Sequence, residues 1–149
     1  MTSTSMMKKE KREWKIPKIP GMPPAPLEKA LMEDCKTLLK SLEPGIFWQR
    51  FEGSGKLIHA GGKQIMIKSE MSGTPDLFVM PTHGHSVWAE VKRAGYGTLS
   101  LDQATFIRAI TSRSGRAGVV CSKEGLYSLL VGSDSNCTIA DEFMVGVWF

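Results

Sequence analysis

Val87-Trp88-Ala89-Glu90-Val91-Lys92, preceded at a short distance by Gly73-Thr74-Pro75-Asp76, is the stretch on which the reading of this chain turns. The first run is rich in β-branched and aromatic residues and predicts a strand. Side chains alternate across a strand, so Trp88, Glu90 and Lys92 share one face while Val87, Ala89 and Val91 share the other. A carboxylate and an ammonium thus stand side by side at the end of an apolar strand. Asp76 opens a second strand candidate, Asp76–Met80, just after Thr74-Pro75. If the two strands pair as neighbours, Asp76 and Glu90 converge. Two converging carboxylates form a hard-oxygen site suited to Mg²⁺ or Mn²⁺. Such an ion can neutralise a phosphate, lower the pKa of a bound water and stabilise a leaving oxygen. A nearby lysine can orient the attacking water and offset phosphate charge. These are the needs of phosphodiester hydrolysis. Taken alone, Glu-x-Lys in a strand is most often a plain surface salt bridge, so the surrounding pattern has to carry the argument.

Outward from this pair the chain alternates helix and strand signals. Pro26 suits a helix start and Pro44-Gly45 its stop. Between them Leu27, Leu31, Cys35, Leu38 and Leu42 recur at helical spacing, with Met32 and Leu39 on the same stripe. Lys29, Glu33, Lys36 and Lys40 fall opposite, whereas Glu28 lies inside the apolar stripe. Strands are predicted over 46–51, 56–60 and 63–68, the last two flanking a Gly61-Gly62 hairpin turn. A His83-Gly84-His85 loop separates Asp76–Met80 from Val87–Lys92. A helix follows from about Ser100 to Arg113, with Gly115 placed to end it. Ala117–Cys121 predicts an apolar strand, Ser122 caps a brief helix through Leu130, and Ile139–Phe149 predicts a last strand. The order implies an α/β sandwich of helices on a mixed sheet.

Composition sets the bounds. The 149 residues suit one domain plus a tail, and 42% hydrophobic content supports a packed core. A formal net charge of +4 is compatible with a polyanionic partner without requiring one. Cys35, Cys121 and Cys137 are odd in number and widely spaced, so neither a disulfide framework nor a zinc ribbon is implied, and a reducing, cytoplasmic setting is expected. No apolar run approaches the about 18 residues of a membrane span. Residues 1–26 stand apart: Lys8, Lys9, Lys11, Arg12, Lys15 and Lys18, then five prolines, read as a basic, Pro-rich flexible arm ahead of a 27–149 domain.

The order Gly73-Thr74-Pro75-Asp76, a variable stretch, Glu90-Val91-Lys92, then a helix carrying Gln103 resembles the PD-(D/E)XK nuclease superfamily, and within it the VRR-NUC group. The resemblance covers about Leu27 to Leu130. The Glu-x-Lys core is degenerate; its combination with Gly-x-Pro-Asp and Gln103 is far more specific. What the resemblance implies is a restriction-endonuclease-like αβββαβ core, a mixed central sheet flanked by helices. It also implies divalent-metal hydrolysis of the DNA backbone, with Mg²⁺ or Mn²⁺ as the only cofactor. Asp76, Glu90 and the Val91 carbonyl would bind the metal, and Lys92 would sit beside the attacking water. A first-helix glutamate often completes such sites; Glu28 and Glu33 are both candidates, and the helical projection favours Glu28. Small stand-alone members look like phage or bacterial enzymes, some cutting branched DNA such as Holliday junctions as homodimers. That implies a cytoplasmic location, in the bacterial host cell if the chain is phage-encoded.

Several residues carry rival readings. Glu28 also suits a helix N-terminus, where a carboxylate is favourable to the macrodipole. Ser100-Leu101-Asp102-Gln103 has the form of a capping box, so Gln103 has a structural role open to it beside a catalytic one. Lys56, Arg93 and Arg108 are candidates for nucleic-acid contacts, as are Arg113 and Arg116, although each is also an ordinary surface charge. His83 and His85 read as a solvated loop, Gly53-Ser54-Gly55-Lys56 as a turn, and Glu70 as a remote extra ligand. The four tryptophans show no spacing that argues for a base-stacking platform. Two other functions stay open on the residues alone: a non-catalytic nuclease-fold module that grips DNA or protein, and an RNA-directed nuclease.

Overall fold

The computed structural model describes residues 12–19, 21–51, 56–60, 63–67, 73–82, 84–140 and 142–149. In chain order the elements are β1 (Glu13–Lys15), α1 (Glu28–Ser41), β2 (Ile46–Arg50), β3 (Lys56–Ala60), β4 (Lys63–Ile67), β5 (Leu77–Pro81), β6 (Val87–Val91), β7 (Thr98–Ser100), α2 (Leu101–Thr111), β8 (Arg116–Val120), α3 (Lys123–Val131), β9 (Cys137–Ala140) and β10 (Val145–Trp148). This is an α/β protein: the described residues form three helices around a mixed six-stranded sheet of order β2-β5-β6-β8-β10-β9, with two-stranded ribbons β1-β7 and β3-β4. β2, β5 and β6 run antiparallel. β6, β8 and β10 run parallel, and β9 returns antiparallel along β10. Among the described residues no helix is long and apolar enough to cross a membrane.

The helices begin and end where local chemistry dictates. α2 starts at a full capping box, with Ser100 accepting from the Gln103 N–H and Gln103 from the Ser100 N–H. α3 starts at Ser122, which accepts from the Gly125 N–H, and stops at Gly132 in the left-handed region. α1 has no side-chain cap; its first-turn Glu28 suits the helix dipole, and Pro44-Gly45 follow its end.

The sheet is buried unequally on its two faces. On the first, α1 and α3 cover Leu77, Val79, Val87, Ala89, Val91 and Val120 with Leu31, Met32, Cys35, Leu39, Leu126 and Leu129. On the second, α2 contributes Ala104 and Ile107, which pack with Ala117, Val119, Val145 and Val147 around Leu99 and Phe143. α2 contacts β7, β8 and β10. Beyond it, Phe47 of β2 and Met80 of β5, which face each other across the strands, are exposed. Among the described residues the second face is therefore roofed over one half and open over the other.

Two expectations from the sequence are corrected. Residues 1–26 are not all an arm: β1 pairs with β7, and Trp14 and Ile16 are buried in the second core, with Trp14 5.6 Å from Phe143 between ring centroids. Two apolar side chains two residues apart suffice once β7 offers backbone partners, and the charged Glu13 and Lys15 alternate with them, exposed. The apolar run 139–149 is not one strand but two. Met144 adopts φ 57° and its N–H returns to the Ala140 carbonyl, turning the chain between β9 and β10. The 56–60 and 63–67 strands pair as expected, with Ala60 opposite Lys63; Gly61-Gly62 lies outside the described residues.

Because Trp14 is a core residue, Trp14→Ala is expected to destabilise the protein by about 3 kcal/mol or more, read as a shift of the urea unfolding midpoint. A change within experimental error would return this segment to the status of a solvated arm.

Candidate active site

The register of the central strands builds the site. Leu77 on β5 pairs with Ala89 on β6, so Asp76, one step before, comes beside Glu90, one step after. Asp76 and Glu90 belong to the second face, with Phe78 and Trp88. The two carboxylates are laced to each other's strand. The Asp76 N–H donates to Glu90 Oε2 at 3.2 Å, and the Val91 N–H donates to Asp76 Oδ2 at 2.9 Å. Lys92 follows on the same face, its Nζ 3.6 Å from Glu90 Oε1, with only 13% of its side chain exposed. This is no surface salt bridge, because Glu90 is 3% exposed.

α2 closes the cleft from the side. Gln103 Nε2 donates to Glu90 Oε1 at 3.0 Å, while its Oε1 accepts from the Ser100 N–H at 2.9 Å. The two roles weighed for Gln103 are thus combined in one amide. Gly73 makes this approach possible. It holds φ 85°, and a Cβ placed there would overlap the Asp102 carbonyl in the first turn of α2. Only glycine fits both the torsion and the space. Thr74 and Pro75 are buried behind it.

Burial drives the electrostatics. Loss of solvent pushes the Glu90 carboxyl well above the usual carboxylate range, and the Asp76 charge pushes it the same way. Lys92 opposes that shift only in part, and Asp76 and Glu90 lie within hydrogen-bonding reach of each other. Two such carboxylates can both ionise readily only when a further positive charge joins them. A hard divalent cation held by one or two carboxylates, with the rest of its shell from water and phosphate, suits this donor set.

The other nominated residues are placed as follows. Val91 is fully buried in the core under α1 and α3, and its N–H donates to Asp76 Oδ2. The third acidic ligand expected from α1 is not brought to the pair. Among the described residues no group of three or more His, Cys, Asp or Glu gathers to hold a metal. Glu28 sits exposed in the first turn of α1, and Glu33 on the outer face pairs with Lys36 at 3.3 Å. Arg93 also makes contacts within the protein: its Nε donates to the Ala25 carbonyl at 3.0 Å and its guanidinium lies 3.9 Å over the Tyr96 ring. Arg116 donates to the Leu129 carbonyl, and Arg113 to the Ala109 carbonyl. Arg108 is half-buried on α2. Lys56 lies in β3, with its side chain outside the described residues, as are Gly53-Ser54-Gly55, Glu70 and His83; His85 is exposed.

The sequence reading missed an aromatic group beside the carboxylates. Trp88 packs with Phe51, Phe78 and Phe106 at centroid distances of 5.8, 4.8 and 5.4 Å. Four rings from four chain segments have no common spacing in sequence; the only available signal was the period-two placement of Phe51 after Phe47 and Gln49. Comparison with protein-family models, with curated proteins and with solved structures finds no match for this chain.

The raised Glu90 carboxyl has a signed consequence for the metal-free protein. A carboxyl whose folded pKa exceeds its unfolded one contributes its full stability below the unfolded pKa and loses it as pH rises through the folded pKa. Glu90→Gln removes that loss. In EDTA the variant is expected to unfold at higher urea than the parent at about pH 8, with the gap shrinking toward about pH 4. A gap independent of pH would show that Glu90 is not the titrating group.

Proposed function

We propose that this chain is a divalent-metal-dependent DNA endonuclease of the VRR-NUC group, built on the restriction-endonuclease-like core of the PD-(D/E)XK superfamily. The observation that carries this reading is the convergence of Asp76 and Glu90, two carboxylates linked strand to strand, with the Lys92 ammonium beside Glu90. The element order supports it: α1, β2, β5, β6, α2 and β8 follow the αβββαβ sequence, with β8 parallel to β6.

Asp76 and Glu90 would hold Mg²⁺ or Mn²⁺. The ion would supply charge neutralisation at the phosphate and an activated water. The protein's own groups do the rest. Gln103 fixes the orientation of Glu90 through Oε1, so the carboxylate does not swing with each encounter. Lys92 places a positive charge next to that same oxygen, where it offsets negative charge developing on a phosphoryl oxygen and orients the incoming water. The start of α2 adds the positive end of a helix dipole to the same wall. The homodimer and the branched-DNA preference come from the family resemblance and form part of this proposal.

The test is direct. The purified protein is incubated with duplex, flap, single-stranded and four-way-junction DNA, and with RNA, in Mg²⁺, Mn²⁺ or EDTA. Cleavage of DNA with either ion and none in EDTA is expected. Asp76→Ala and Glu90→Ala should reduce cleavage to background, and Lys92→Ala should cost about 100-fold or more, with each variant keeping a cooperative melting transition. Full metal-dependent activity in Glu90→Ala would sink the mechanism. Tight, salt-sensitive DNA binding without cleavage under any ion would replace it with the non-catalytic module, and preferential cutting of RNA with the RNA-directed enzyme.

A further inference from the structure

We propose that Phe51 forms a stacking subsite for an unpaired nucleobase of the DNA strand, next to the metal site that Asp76 and Glu90 would form for the scissile phosphate. This rests on the nuclease reading above and adds a substrate feature to it.

The position follows from the sheet. Arg50 pairs with Leu77, and the Phe51 N–H donates to the Asp76 carbonyl at 2.7 Å, so Phe51 lies directly across from Asp76. Residues so paired have Cβ atoms about 5 Å apart on the same face. One row across the second face therefore reads Phe51, Asp76, Glu90, with Gln103 reaching in from α2 at the far side. The cleft has two unlike walls. The α2 side carries the Gln103 amide and a helix N-terminus, with Lys92 beside Glu90 at the end of β6, which together suit a phosphate. The opposite wall is a benzene ring, which suits a base.

The ring is anchored yet reachable. Phe51 stacks on Trp88 with an interplanar angle of 25°, and Trp88 is held in turn by Phe78 and Phe106. Despite this packing Phe51 stays 37% exposed. A ring fixed on one side and open to solvent on the other loses little conformational entropy when a second planar group stacks on it. Base–aromatic stacking tolerates any base, because every base has a π-face. In an intact duplex that face is already covered by its neighbours. A wall of this kind therefore favours DNA whose base beside the cut is unpaired, as at a flap, a junction or a single strand.

The experiment uses a DNA flap or single strand cut by the wild-type protein in Mg²⁺, with the cleavage position mapped. Matched substrates carry one abasic residue immediately on either side of that position. For wild type, one of the two abasic substrates should lose about 10-fold or more in kcat/KM. Phe51→Leu keeps apolar bulk without a π-face. It should lose about the same on intact DNA and show no further loss on the abasic strand. Phe51→Tyr should behave as wild type. This pattern is one that a merely structural role for Phe51 would not produce, since a loosened site would penalise intact and abasic DNA alike. If wild type cuts abasic and intact strands equally, the stacking subsite is overturned while the nuclease reading stands. That comparison needs no variant, so it holds even if Phe51→Leu fails to fold. If Phe51→Leu remains as sensitive to the abasic residue as wild type, some other group holds the base and the assignment to Phe51 is overturned. If wild type cuts no DNA with any ion, the nuclease reading falls and takes the subsite with it.

Discussion

The crossed pair of hydrogen bonds between β5 and β6 is the constraint on which the rest of the site depends. Asp76 offers its N–H to Glu90, and the residue after Glu90 offers its N–H to Asp76. Each carboxylate is thereby fixed by the strand that carries the other. Displacing either acid breaks a bond to the neighbouring strand, and the register that brings the two together is held by Leu77, Val79, Val87 and Ala89, all buried. A one-step slip would send those four apolar side chains to the opposite face. The hydrophobic core on one face thus sets the position of the charged pair on the other. The cost of holding Glu90 out of water is borne by packing remote from the chemistry.

The unequal cover of the sheet explains how one small domain accommodates both tasks. The face under α1 and α3 is closed and serves stability. The other is roofed by α2 and the β1-β7 ribbon over β8 and β10, and open toward β2. The carboxylates lie at the boundary between roofed and open halves. Glu90 is buried enough for its ionisation to be sensitive to a neighbouring cation, while the row continues outward to an exposed ring. Arg93 shows the same economy: by gripping the Ala25 carbonyl and Tyr96 it ties the segment before α1 to the turn after Lys92.

Much of this was legible in the residues, for identifiable reasons. Local signals were strong where they were short-range. The α1 stripe, the Ser100 and Ser122 caps and the alternation of Val87–Lys92 all depend on spacings of a few positions. The pairing of Asp76 with Glu90 was reachable because two consecutive strands joined by a short loop usually lie side by side. Failures came where the deciding partner was distant. Trp14 and Ile16 looked like part of a charged, Pro-rich tail because their partners, Leu99 and Phe143, lie far along the chain. The Arg93 bond to the Ala25 carbonyl has no signal in the sequence, because a backbone acceptor does not show in a list of charges. Glu28 shares a face with buried residues, but projection around a helix axis says nothing about distance along it, and Glu28 lies at the exposed end.

The dual bonding of Gln103 limits what that position can be. Its amide must accept from the Ser100 N–H and donate to Glu90 with the same terminal group. Glutamate could close the cap but would bring a third negative charge against Glu90 with no proton to offer. Lysine could donate but has no acceptor for the cap, and asparagine is one methylene shorter. Helix initiation and acid orientation therefore make up a single heritable unit. Drift at this one codon would be checked twice, by folding and by chemistry, and a sequence that lost the second demand would still be held to the first.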